Sequence, residues 1–308
     1  MFEVFISYKD NKEYLVSPNN KNYNLEIFAL INNKKIKEIE GHNDKVSTIR
    51  YFINIKNNNN EYLISADNEK KVFIWDINND YKIIHKIETK YEDYIYSCLL
   101  IFPFDNNDNY IITSTYKTGD NPIISATKIY SLNNIDQFKY INNTNNNSIF
   151  YLLSWYNKKN EKYYIIQLSE KIIINNLFED ELYSELKQDP EGSHLNGFIY
   201  NKNNNDYLCC SSDKGCINIW NLYEKNLFKK INIQSEIVNV IQWNYKYFIA
   251  ADYINKNLKV IDLDKMEIVS NIGEQNDNKI KCIKKINHPI FGESLLISND
   301  TTIKLLSI

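Results

Sequence analysis

The chain has a single arginine, Arg50, in 308 residues, with seven glycines, five prolines and two methionines. Scarce arginine removes the planar, two-pronged donor that recognition of phosphate or carboxylate favours. The net charge is −3 and the pI about 5.9, so nothing draws the whole molecule to a phosphate backbone and no nucleic-acid partner is expected. No apolar run reaches the roughly 18 residues needed to span a bilayer. The opening MFEVFISYKD lacks a basic region followed by a long apolar run, so neither membrane insertion nor secretion is expected. The cysteines, Cys98, Cys209, Cys210, Cys216 and Cys282, are an odd set without a CxxC pair. They read as reduced core thiols of an intracellular protein, cytoplasmic or nuclear. His42, His85, His194 and His288 are dispersed and give no metal-ligand spacing, so no metal or other cofactor is expected.

What is present is strongly biased. There are 49 Asn, 48 Ile and 24 Tyr. Asn, Ile, Lys and Tyr share A/T-rich codons, so abundant tyrosine is not in itself a sign of a binding face. Hydrophobic residues make up 43% and charged residues 24%, values that suit a folded chain. The length allows either two average domains or one repeat-built domain, and the composition favours a single domain over 1–308.

Repetition carries the fold reading. Seven strand-like segments, EYLVS (13–17), EYLIS (61–65), NYIIT (109–113), YYIIQ (163–167), DYLCC (206–210), KYFIA (246–250) and SLLIS (294–298), are each followed by a polar turn and a second apolar run. In those second runs the fourth positions are Phe28, Trp75, Tyr130, Asn175, Trp220, Ile261 and Leu306, at intervals of 47, 55, 45, 45, 41 and 45 residues. Such a unit is too short for a helical crossover but fits four short strands. An apolar run precedes each unit, such as VSTIRYF, and an amphipathic one follows each of the first six, such as IIHKIE or LFKKINI. The first reads as a buried inner strand and the second as a half-solvated outer strand. The expected fold is all-β: seven radially arranged, four-stranded antiparallel sheets.

The segment from Gly41, GHNDKVSTI through FIWD at 73–76, resembles one unit of the WD-repeat (β-transducin) family, and NIWN at 218–221 resembles a weaker one. The resemblance implies a seven-bladed β-propeller. It also implies a structural hydrogen-bonded set of His42 and Trp75, completed by Ser65 or Asp67 with Glu69, and structural roles for Asp76 and Trp220. Trp155 and Trp243 fall where the family places a core aromatic. The adaptor-docking form of the family's ubiquitin-ligase receptors, WDxR, is not met, because WDIN puts Asn78 at the arginine position.

Function is expected in the loops. By family geometry, turns between second and third strands share one face with the connections between blades. Those segments hold sixteen acids against nine lysines, a potential that steers a basic segment inward. The candidate binding residues there are Asp44, Tyr91, Glu92, Asp93, Tyr94, Tyr116, Asp120, Asp213, Glu236, Asp252, Tyr253, Asp277 and Asp300, the tyrosines acting as anchors. Asn-rich hairpins on the other face read as padding, since Asn tolerates left-handed turns. The sequence stops at Ile308, after the third strand of the last repeat. That blade is three-stranded, or is completed by a partner's strand at Ile303 to Ser307, or belongs to a longer native chain. No GxSxG occurs and acids are scattered through every repeat, so a non-catalytic interaction scaffold or adaptor is expected ahead of a propeller hydrolase.

Overall fold

The computed structural model describes residues 2–54, 59–88, 93–101, 108–117, 126–134, 138–142, 149–179, 182–186, 192–272, 279–299 and 302–307. Among them there is no helix; twenty-seven strands form seven antiparallel sheets, each ordered as in the chain. The first blade comprises β1 (Glu3–Ile6), β2 (Glu13–Pro18), β3 (Leu25–Ala29) and β4 (Lys34–Ile39), and the second β5 (Val46–Asn54), β6 (Asn60–Asp67), β7 (Lys71–Asp76) and β8 (Lys82–Glu88). The third holds β9 (Asp93–Ile101), β10 (Tyr110–Lys117), β11 (Ala126–Ser131) and β12 (Phe138–Asn142), and the fourth β13 (Tyr151–Asn157), β14 (Lys162–Leu168), β15 (Ile172–Asn176) and β16 (Leu182–Leu186). The fifth has β17 (His194–Lys202), β18 (Asn205–Ser212), β19 (Cys216–Asn221) and β20 (Asn226–Asn232), and the sixth β21 (Ile237–Gln242), β22 (Tyr247–Asp252), β23 (Asn257–Asp262) and β24 (Glu267–Ile272). The seventh is three-stranded, with β25 (Cys282–His288), β26 (Gly292–Ser298) and β27 (Ile303–Ser307).

The chain divides into two compact units, Met1–Leu152 with His288–Ile290, and Leu153–Asn287 with Phe291–Ile308. In the first, Val16, Leu25, Ile27, Ile49, Leu63, Phe73 and Trp75 fill the space between the first two blades. In the second, Cys209, Ile217, Ile219, Val240, Phe248 and Ile261 do the same between blades five and six. Burying a side chain of this size contributes about 1.5–3 kcal/mol, and the β-branched residues that dominate these strands pack well on a pleated surface. Outer strands behave differently. In β8 and β20 only one residue of seven is buried, and lysines guard the open edge.

The repeat reaches the level of backbone irregularities. The pairing of third and fourth strands slips by one residue immediately before Phe28, Trp75, Asn175, Trp220 and Ile261, the fourth positions of the sequence repeat. A bulge there adds local twist to the outer strand. Turns rely on few glycines, Gly215 and Gly292 among them: Asn11, Asn33, Asn59, Asn203 and Asn204 also take positive φ, as do Lys225, Lys256 and Met266, which have no local polar compensation of the Asn kind.

Candidate interaction surface

Among the described residues, the second blade holds the one complete polar chain of the kind that the family resemblance implies. Trp75 Nε1 donates to Ser65 Oγ at 2.8 Å, Ser65 Oγ lies 2.6 Å from His42 Nε2, and His42 Nδ1 lies 2.7 Å from Asp67 Oδ2. Read as Trp to Ser to His to Asp, every donor meets an acceptor, which is what burial of four polar groups demands. Gly41 makes it possible: a β-carbon there would sit 2.7 Å from the Trp75 ring. Ser65, His42 and Asp67 have the composition of a hydrolytic triad, yet Ser65 and Asp67 are both 0% exposed and the serine oxygen already accepts the indole N–H. No substrate carbonyl can reach it. Glu69 stands outside the set, exposed and paired with Lys71 at 2.9 Å, so its inclusion is corrected. Trp220 is buried, but its Nε1 has no partner of normal hydrogen-bond geometry, because Cys210 occupies the place of Ser65 and offers it only a sulfur.

The short polar residues of the loops recur at two fixed positions. Asn19, Asp67, Ser169, Ser212, Asp252 and Asn299 each accept a backbone N–H from two to four residues onward, at 2.8–3.1 Å. They close the turn between second and third strands. Asp76, Ser131, Asn176, Asn221 and Asp262 do the same for the turn between third and fourth strands. The aspartate of the Trp-Asp pair is thus a turn cap.

These caps correct one binding expectation. Asp252 is 0% exposed, accepts from Ser235 Oγ and Asn255 Nδ2, and lies 3.4 Å from Lys259 Nζ. Burial alone would raise its carboxyl pKa, but these bonds and the lysine hold it below the usual range. It cannot meet a partner. Its neighbours can: Tyr253 N donates to Glu236 O at 2.9 Å, and the Gln234 and Ile233 amides both donate to Gly215 O. Asp213, Glu236 and Tyr253 are therefore brought into one group of loops in the second unit. Asp213 Oδ1 holds the Ser193 amide at 2.8 Å, and Lys279 Nζ lies 4.3 Å from the Tyr253 ring centroid. Lys214 and Lys256 stand in the same loops. In the first unit Asp44 bonds the Lys45 amide and is half-buried. Tyr91, Glu92, Asp120, Asp277 and Asp300 lie outside the described residues, as do the side chains of Asp93, Tyr94 and Tyr116. Among the described loop side chains, with Asp67 and Asp252 buried, exposed or half-exposed acids do not outnumber lysines.

Sequence reasoning missed a second kind of buried acid, the residue just before the Tyr-led strand. Glu61, 0% exposed, accepts from Ser7 Oγ, the Tyr8 and Lys9 amides and Tyr51 OH at 2.8–3.3 Å, fastening the first hairpin of blade one to blade two. Asp206 takes Trp155 Nε1, Asn201 Nδ2 and Tyr223 OH at 2.7–2.9 Å. The signal was present as E-Y-L and D-Y-L. Arg50 was missed too: it donates to Leu152 O and Ser97 Oγ and stacks 4.3 Å from the Tyr151 centroid.

Seven antiparallel blades of this order define a seven-bladed β-propeller. Residues 33–76 match the WD40 family, WD domain, G-beta repeat, and this match together with the blade architecture supports a WD-repeat propeller. Crystal structures of BBS1N in complex with ARL6DN, one soaked with lead and one with mercury, are similar at a TM-score of 0.70, covering 100% of this chain and 91% of theirs. Sequence identity to them is 14% and 13%, so the likeness speaks to fold. No curated protein sequence matches the chain.

Proposed function

We propose that the protein is a non-catalytic, intracellular interaction scaffold that receives a lysine- or arginine-containing segment of a partner protein on its acid-bearing loops. The carrying observation is that these loops are fixed by their own caps: Asn19, Asp67, Ser169, Ser212, Asp252 and Asn299 each tie side chain to backbone. A loop ordered before binding loses less entropy when a partner arrives. The candidate charges are Asp44, Glu92, Asp93 and Asp120 in one unit and Asp213, Glu236, Asp277 and Asp300 in the other. The similar BBS1N propellers were crystallised with a bound protein, which supports the general role. A lysine-rich peptide of about ten residues should bind in fluorescence anisotropy and weaken as salt rises. Reversing Glu92 and Asp93 in one variant, and Glu236 and Asp277 in another, should reduce that binding. Undiminished affinity in both variants would overturn the electrostatic part of the reading.

A second reading has its own observation. The third strands β7 and β19 are almost wholly buried, whereas no residue of β27 is, and Ile303 and Leu305 are more than a third exposed. That edge is suited to receive a strand from another protein.

A further inference from the structure

Within the second unit, four aromatic rings converge at one end of blades four and five. Trp155 of β13 is 5.2 Å from Tyr164 of β14, 5.7 Å from Tyr183 of β16 and 5.6 Å from Tyr223 in the turn after β19, measured between ring centroids. Trp155 is 3% exposed. Tyr183 and Tyr223 are half-buried and stand at 65° and 59° to the indole plane, two inclined walls against one aromatic surface. Beneath them the Asp206 carboxylate accepts from both the Trp155 N–H and the Tyr223 hydroxyl. Those bonds hold it ionised against the burial that would raise its pKa. The group thus combines ring faces, which carry negative quadrupolar potential, with a fixed negative charge.

Two ammonium groups already use it. Lys225 Nζ lies 3.8 Å from the Tyr183 centroid and donates to Tyr183 O at 2.9 Å; Lys159 Nζ lies 3.8 Å from the Tyr223 centroid. Neither lysine forms an ion pair with a carboxylate among the described residues. Both sit in short turns, 158–161 and 222–225, and both stems are otherwise exposed. Each lies over a half-buried ring of the neighbouring blade, Lys159 of blade four over Tyr223 of blade five and Lys225 of blade five over Tyr183 of blade four.

We propose that this cluster is a recognition site for a methylated ammonium group, such as a trimethyllysine side chain of a partner, kept closed in the free protein by Lys159 and Lys225. A primary ammonium is a compact, strongly hydrated charge and gives up much hydration to lie on a ring. A trimethylammonium group has weaker hydration and more apolar surface, so it gains more from the same aromatic faces. The chain's own lysines are therefore the weaker occupants, held by proximity. The site lies at the opposite end of its blades from the turns of Asp213 and Asp252 and does not depend on the acidic-loop reading.

The test uses the full chain and two labelled peptides, identical but for one lysine that is trimethylated or unmodified, followed by fluorescence anisotropy. Replacing both lids, Lys159→Ala with Lys225→Ala, should tighten binding of the trimethylated peptide by about tenfold over wild type, the yield of removing a competitor worth roughly 1.4 kcal/mol. Adding Tyr183→Ala to that background should abolish the gain. Lys159→Gln with Lys225→Gln retains the stems and should show the same direction of change if the alanine variant loses its fold. A folded lid variant that binds neither peptide, or both equally, overturns the proposal.

Discussion

At the scale of single residues, blades two and five are a natural experiment in one side chain. Ser65 and Cys210 hold the same register position, Ser65 opposite Phe73 and Cys210 opposite Asn218, and each faces a buried tryptophan two residues further along the third strand. The serine accepts the Trp75 N–H; the Cys210 sulfur, 3.5 Å from Asn218 O, offers the Trp220 N–H only a weak acceptor, outside the geometry of a normal hydrogen bond. An unmet buried donor costs about 1–3 kcal/mol. Burial also pushes the Cys210 thiol pKa well up, so no thiolate forms to serve as acceptor. Cys210→Ser should therefore stabilise the protein by about 1 kcal/mol, read as a higher denaturant midpoint at unchanged slope. A lower midpoint would show that sulfur packing outweighs the donor. His42 and Trp75 were legible because their types are distinctive. Asp252 was misread as a surface acid because Asp, Asn and Ser serve equally as turn caps: Asn19, Ser169 and Ser212 stand at the same position, so no residue type marks it.

Strands were more legible than side-chain roles. Their pattern is set by burial on two faces, and the runs that carry it return at nearly constant intervals, so β2, β6, β14, β18 and β26 fall on the Tyr-led or apolar segments of the sequence. The slips before Phe28, Trp75 and Trp220 were not legible, because a bulge leaves the hydrophobic pattern of the strand almost unchanged. Charge placement distinguishes the outer edges. β4 reads KKIKEI and β20 NLFKKIN, whereas β27 reads IKLLS, with Lys304 its one lysine. Strand addition there should be selective for blade seven. In hydrogen exchange, those of the Ile303–Ser307 amides that point away from β26 should exchange quickly in the isolated chain and become protected in complex with a strand-donating partner, while the amides paired with β26 and β20 stay unchanged. Leu305→Pro should abolish that protection. Slow exchange of the amides that point away from β26 in the isolated chain would mean the edge is already covered.

The whole molecule carries a modest net charge of −3 at pH 7, so between pH 7.5 and 5.5 its response to acid is decided by a few buried groups, whereas below about pH 4, where carboxylates take up protons, general repulsion among the lysines adds to the loss. Burial lowers the pKa of His194, against a raising contribution from the Ser169 carbonyl, which accepts from its Nδ1–H; burial also lowers that of His85. With Nδ1–H donated to Ser169 O, His194 is neutral in the fold. As pH falls below about 6.5 the unfolded chain binds protons that the folded chain does not, so stability must fall. Asp206 and Asp252 act at lower pH. Their folded pKa values are held below the ordinary 3.8, so their contribution is full above that value and disappears as pH drops through the folded values. Denaturant unfolding at pH 7.5, 5.5 and 3 should therefore show two declines. His194→Gln, which keeps a donor toward Ser169 O, should flatten the first and leave the second; Asp206→Asn should reduce the second and leave the first. A wild-type stability that is level between pH 7.5 and 5.5 would mean that the imidazole titrates alike in both states, despite the 2.8 Å contact that fixes its proton.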